Sequence, residues 1–297
     1  MIVYSRYNSQ RKPEFRLITV FEKNGPELIV KKIAEDKNSR IFLESFFQKY
    51  EDLAKLDLLV TLLKPEKQGN CVVFPYCHKK TFQTVLLDLL SKNLKDDFWK
   101  MLKSFKGVLN SFPKITSLPD RYFMEKFGES GVENFESINP SVLDFNFDNI
   151  FVSDQKYVLF DYEWTFNFPI PIEFILFRSC YYFFLQNGVL LLKNNIGIND
   201  LFDYFEIESD HIELFLKWEH HFQSTINLEN KNWSNYLFDY KSLKDASDKK
   251  QLSYFKQGEQ YILALESENH NLKNSYSYKL GSMILFPFRY IKRLFNK

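Results

Sequence analysis

Apolar and β-branched residues gather in short runs over the first third of the chain, and each run predicts a strand. Ile2–Tyr7 is the first, and Phe15–Lys23 (FRLITVFEK) the second. Asn24-Gly25 then gives a hairpin signal, and Glu27–Ala34 (ELIVKKIA) is the return strand. Over Ser39–Leu56 the period lengthens. Ile41, Phe42, Phe46, Phe47, Tyr50 and Leu53 recur near helical spacing, so this segment predicts an amphipathic helix. Leu58–Lys64 and Cys71–Tyr76 read as two more strands joined by a polar turn, Pro65–Asn70. The order β-β-β-α-β-β is followed by helical patterns over Phe82–Leu90 and Asp97–Phe112. Strand-like pieces interrupt this over Asn139–Tyr162, and the chain is again mostly helical from Pro171. Ile170–Leu192 is the most apolar stretch, but Glu173, Arg178, Gln186, Asn187 and Gly188 interrupt it, which predicts buried helices and not a bilayer span. No internal repeat or low-complexity linker is present, and Lys244–Gln251 reads as a solvated loop or helix end. The expected organisation is α+β with two lobes: a small β-rich one over residues 1–77 and a larger helical one over 78–297.

Composition narrows the function classes. The chain has 297 residues, 45% of them hydrophobic, which is enough for a sizeable core. Its 32 Phe and 17 Tyr reflect in part the AT-rich codons that encode them, so the aromatic excess is no binding signature. A net charge of +1, with no stripe of aromatics alternating with cations, argues against nucleic acid as a partner. Charge is uneven, however. Residues 271–297 carry Lys273, Lys279, Arg289, Lys292, Arg293 and Lys297 and no acid, and 278–297 adds an apolar set broken by Pro287. That tail is expected either to rest on the inner face of the plasma membrane as a peripheral contact or to pack as a last helix. Cys71, Cys77 and Cys180 suit neither a disulfide framework nor a zinc site. Met1–Arg6 lacks the apolar core of a signal peptide, so a cytoplasmic location is expected.

Candidate chemistry centres on Asp144–Glu163. Phosphoryl transfer from a nucleotide needs a carboxylate for the acceptor hydroxyl, oxygen ligands for Mg²⁺ and a cation on the donor phosphates. Asp144 and Asn149 have the spacing D-x₄-N. An apolar strand, a polar turn and a second apolar strand then lead to Asp161, which would bring Asn149 and Asp161 to one end of a hairpin. Lys31 and Lys32 sit on the third strand, on opposite faces, so one of them can enter a cleft; Lys32 is favoured, with Glu44 as its ion-pair partner. The loop Asn8–Pro13 has no glycine, and Ser9, Arg11 and Lys12 are candidates to meet phosphate with side chains instead. Phe74 and Tyr76 stand where an adenine-binding hinge would lie, or simply pack the lobe. Glu163 is either a further metal contact or a structural hydrogen-bond partner. Arg178, among Ile175, Leu176, Phe177 and Tyr181, reads as a buried pair with a carboxylate. His220 and His221 are adjacent, diverge on a helix, and read as ordinary surface or core histidines.

The stretch Leu143–Glu163 resembles the catalytic segment of aminoglycoside phosphotransferases and choline kinases, and Asp161-Tyr162-Glu163 matches their Asp-x-acid ending. Asp161–Phe166, with Phe168–Pro171 and Arg178, is also similar to kinase-like modules of bacterial surface-polysaccharide enzymes, including O-antigen chain-terminating kinase–methyltransferases. The resemblance implies a protein-kinase-like two-lobed fold and ATP with Mg²⁺. It also implies Asp144 as catalytic base and Asn149 and Asp161 as metal ligands. The implied activity is phosphorylation of a hydroxyl on a saccharide or lipid-linked glycan, with a glycosyltransferase as partner. Two departures stand out: Val142-Leu143 replaces the family's His-Gly before the aspartate, and the glycine-rich phosphate cover is absent. They favour the alternative, a catalytically inactive kinase-like module that binds a glycan-assembly enzyme or its carrier.

Overall fold

The computed structural model describes residues 1–129, 134–153, 156–228 and 233–250, with backbone only at residues 153 and 233–239. The tail over 278–297 lies outside the described residues. The first three predicted strands form as β1 (Ile2–Tyr7), β2 (Leu17–Asn24) and β3 (Glu27–Ala34). Gly25, at φ +63°, starts the two-residue turn that sets Asn24 opposite Glu27. Helix α1 (Arg40–Ala54) crosses the sheet with Leu43, Phe46 and Leu53 buried.

The remainder of the small lobe departs from the sequence reading. The strand expected over Leu58–Lys64 forms as β4 (Val60–Leu62), but it leaves the lobe's sheet. The polar turn expected over Pro65–Asn70 instead contains β5 (Glu66–Gln68), hairpinned through Gly69 to β6 (Cys71–Pro75). Sheet order is β1-β2-β3-β6-β5. An exposed, charged strand is stable at such an edge because only one side of it needs a partner.

The helical lobe opens with α2 (Phe82–Ser91), capped by the Thr81 hydroxyl, and α3 (Lys95–Leu109). Short elements follow: β7 (Lys114–Ser117), α4 (Arg121–Phe127), β8 (Phe135–Ile138) and β9 (Ser141–Val142). The expected hairpin is β10 (Ile150–Ser153) and β11 (Lys156–Leu159), and β4 lies parallel to β11 as its third strand. Two-residue strands β12 (Thr165–Phe166) and β13 (Ile170–Pro171) pair with β9 and β8. Among the described residues α5 (Ile172–Lys193), α6 (Ile198–Tyr204), α7 (Ile212–Ile226) and α8 (Trp233–Asp248) follow.

Helix α5 is long and apolar enough to cross a bilayer, yet it is the core of the lobe. Its Phe174 meets Phe127 and Phe215, its Phe177 meets Phe202, and its Phe183 meets Phe98. A helix apolar on most of its faces is satisfied by burial on most of them, and only Leu185, Gln186 and Lys193 of α5 are exposed. The many phenylalanines therefore fill a core in which edge and stacked ring contacts replace aliphatic packing.

Candidate functional site

Strand pairing sets the frame. β9 runs antiparallel to β12, and the Leu143 amide donates to the Trp164 carbonyl (2.9 Å), so Asp144 emerges from β9 beside Glu163 at the entry to β12. Phe145 and Phe147 are fully buried and pull the following loop onto α3 through Phe105. Asn149 closes that loop, its Nδ2 donating to the Asp144 carbonyl (3.0 Å). At the open end of the β10–β11 hairpin the Phe160 amide donates to the Asn149 carbonyl (3.2 Å), which sets Asp161 next to Asn149. Between Asp161 and Glu163, Tyr162 turns into the core and donates to the Leu63 carbonyl (2.9 Å).

Three cations converge here, two on the carboxylates and one on the Glu163 backbone. Lys32, on β3, is 7% exposed and reaches across the cleft to Asp161 Oδ1 (2.8 Å) and Glu163 Oε2 (3.1 Å), with the Phe46 ring 4.9 Å beneath it. Arg11, from the β1–β2 loop, donates from Nη2 to Glu163 Oε1 (2.6 Å) and lies 5.5 Å from the Trp164 ring. Lys49, on α1, donates to the Glu163 carbonyl. Its burial pushes the amine down to about 8, with the nearby Lys32 charge adding to the effect against the pull of Glu163 and Asp161.

On the far side, Arg178 of α5 donates from Nη1 to Asp144 Oδ1 (2.9 Å) and the Leu143 carbonyl (2.7 Å), and from Nε to Glu219 Oε2 (2.6 Å). Glu219, fully buried on α7, also accepts from Gln223 Nε2 (2.7 Å) and the Tyr182 hydroxyl.

Burial and charge pull each carboxylate in opposite directions. At Asp144 burial outweighs Arg178, and the carboxyl lies above its usual range. Burial likewise raises Asp161, with Glu163 adding to it and Lys32 opposing. At Glu163 burial is overcome by Lys32 and Arg11, which hold it well below the carboxylate range. Two neighbouring acids are thus driven apart, the pattern of a site with divided roles.

Several expected site residues lie elsewhere. Glu44 is exposed and pairs with Arg40 (3.2 Å), not with Lys32. It sits about 200° around the helix from Phe42, whose face packs inward. Lys31 points to the other face of β3 and pairs with Glu22 (2.7 Å), as strand alternation requires. Ser9 is exposed in the turn before Arg11. Phe74 is buried between Phe46 and Tyr162, so it packs the lobe and presents no face to a base. Tyr76 is half-buried against Phe21 and His78 just past β6. Phe145, Phe147, Tyr162 and Trp164, which flank Asp144 and Asp161 along the chain, are buried and offer no stacking platform. Arg178 is the buried carboxylate pair expected of it. Lys49 and Glu219 were not singled out by spacing; a cation on the apolar face of α1 and an acid within Phe215–Phe222 were their signals.

Oxygen donors suit a hard cation here. With Asn149 Nδ2 committed to the Asp144 carbonyl, Asn149 Oδ1 is left for a ligand, and Lys32 takes only Oδ1 of Asp161. Mg²⁺ keeps several waters and accepts one or two protein oxygens, so these two fit it. No group of three or more His, Cys, Asp and Glu arranged to hold a metal occurs among the described residues.

No family model and no curated protein sequence matches the chain. Among solved structures it is similar to macrolide 2'-phosphotransferase MphH from Brachybacterium faecium, at 8% identity and TM-score 0.35, over 77% of this chain and 93% of that one. It is similar to aminoglycoside phosphotransferase APH(2'')-Ib in its ADP-bound form, at 14% identity and TM-score 0.36, over 82% and 92%. It is also similar to choline kinase LicA from Streptococcus pneumoniae, at 11% identity and TM-score 0.35, over 80% and 86%. The fold is α+β: a five-stranded sheet with one helix is followed by a helical lobe, and a β3 lysine meets the aspartate that follows a hairpin.

Proposed function

We propose that the chain is an ATP- and Mg²⁺-dependent phosphotransferase acting on a saccharide hydroxyl in cell-surface polysaccharide assembly. The carrying observation is the Lys32–Asp161 ion pair between lobes, with Asp144 and Asn149 at the same end of the hairpin frame. Lys32 would neutralise donor phosphate. Asn149 Oδ1 and Asp161 would hold Mg²⁺, which supplies charge compensation on the phosphates. Asp144, raised by burial, is the stronger base for it, and takes the hydroxyl proton as the acceptor oxygen bonds to the terminal phosphorus. The bond from that phosphorus to the bridging oxygen breaks, and ADP leaves with the electron pair.

A compact acceptor suits the short link from Asp161 to α5, where β12 and β13 leave no long segment to dock a peptide. The basic, apolar sequence over 278–297 suits a lipid-linked glycan met at the cytoplasmic face of the membrane, beside a glycosyltransferase. The second reading, an inactive module binding a glycan-assembly enzyme, is favoured by one observation: Lys32 and Arg11 are already paired with the site's own carboxylates. Incubation with labelled ATP, Mg²⁺ and separate panels of saccharides, aminoglycosides and proteins decides. Label is expected on a saccharide. Label on protein or aminoglycoside alone removes the glycan assignment, and no transfer with no ATP binding leaves the inactive module.

A further inference from the structure

The β1–β2 loop lacks the glycines that let a kinase backbone wrap donor phosphates, and it is not a free flap. Leu228 N donates to the Gln10 carbonyl (2.8 Å) and Lys12 N donates to the Ile226 carbonyl (2.8 Å), so the end of α7 grips the chain on both sides of Arg11. The Arg11 amide donates to Asn8 O (3.0 Å), and its carbonyl accepts from Arg16 Nε (2.7 Å). Phe15 anchors the loop further by packing on Phe42 and Trp164. The guanidinium is therefore delivered from a fixed backbone. Glu163 holds Nη2, whereas Nη1 is buried with no hydrogen-bond partner among the described residues. A buried charged donor left without an acceptor is costly, and proteins rarely keep one. Burial disfavours this guanidinium, yet Glu163, then Asp144 and Asp161, outweigh it, so it stays charged at the centre of the acidic cluster.

We propose that Arg11 binds the terminal phosphate of the donor nucleotide, Glu163 orienting the guanidinium through Nη2 while Nη1 takes a phosphate oxygen. A rigid side-chain fork thereby replaces the glycine-rich backbone cradle, which suits arginine's planar donors. This rests on the reading of the chain as an ATP-binding phosphotransferase. Strapped to α7, Arg11 would distinguish a triphosphate from a diphosphate.

Calorimetry with Mg²⁺ and either ATP or ADP tests this on the full chain, wild type and Arg11→Gln, with melting curves to confirm folding. Arg11→Gln is expected to weaken ATP about tenfold or more, the loss of one charge-assisted contact, and to leave ADP within about twofold. Arg11→Lys, which keeps the charge without the fork, should fall between, and it carries the comparison if the glutamine variant does not fold. An unchanged ATP-to-ADP ratio in a variant, with wild type binding ATP, overturns this inference alone. Wild-type protein that binds neither nucleotide at millimolar concentration overturns it together with the phosphotransferase reading.

Discussion

Asp144 combines the proposed chemistry with a stability cost. Its carboxyl is half-buried, and one Arg178 guanidinium is divided between it and Glu219. The folded pKa lies above the reference value of 3.8 because burial outweighs Arg178. A carboxyl shifted upward stabilises the fold fully below its unfolded pKa and loses that contribution as pH rises through the folded value. Near neutrality the ionised group is therefore a liability that a neutral amide of the same shape avoids. Asp144→Asn should lower phosphotransfer by about 10²–10⁴, as loss of a positioned base does, while sparing ATP affinity. The same variant should melt at or above the wild-type temperature near neutral pH, with the difference shrinking in acid. A clearly lower melting point would show that Arg178 dominates over burial. The aspartates and Asn149 were legible because their spacing is local: D-x₄-N, a hairpin, then Asp-x-Glu. Glu219 was not, because it meets Arg178 from 41 residues away on another helix. Glu44 was misread because its polarity suggested a partner for Lys32. The helix face that meets the site carries Phe42, Phe46 and Lys49 instead.

Among elements, α1 is where packing and site converge. Phe46 is fully buried against Phe42, Phe74 and Tyr162, and its ring lies under the Lys32 amine. Phe46→Ala would open a cavity among rings that cannot collapse without moving β6 or Tyr162. A loss of about 3–5 kcal/mol is expected from such a truncation, read as a lower urea midpoint with an unchanged slope. A loss below about 1 kcal/mol would contradict the packing. Helix α1 and strands β1–β3 were legible because long periodic runs carry many concordant positions. β5 was not, and β4 was legible as a strand but not in the sheet it joins; each is three residues long. For so short a strand, which sheet it joins is decided by pairing, as when Val60 lies beside Tyr157 and Glu66 opposite Val73. Composition along the chain cannot carry that choice, and a wholly exposed edge strand reads as a turn.

Across the molecule, two buried charge chains tie sheet to helices. One runs from Lys32 through Glu163 to Arg11 and, by the loop backbone, to the end of α7; the other runs from Asp144 through Arg178 to Glu219 within α7. Both end on the same helix, so the carboxylates at their centres set how the fold responds to acid. Glu219 is fully buried, and burial alone would raise its pKa, but Arg178, helped by the Tyr182 and Gln223 donors, holds it below the reference 4.5. A carboxyl shifted downward contributes stability that is complete above its unfolded pKa and is lost as pH falls through the folded one. Glu219→Gln keeps the shape and the acceptor oxygen but removes the charge, leaving Arg178 facing Asp144 alone. Breaking a buried ion pair in this way should cost about 3–5 kcal/mol near neutral pH. Urea unfolding at a series of pH values should show the two proteins converging below about pH 4.5, wild type falling more steeply by up to about 1.4 kcal/mol per pH unit for this one group. Curves that stay parallel into acid would mean that Glu219 binds its proton equally in both states, and the Arg178 pair would then not be what holds α7 to the site.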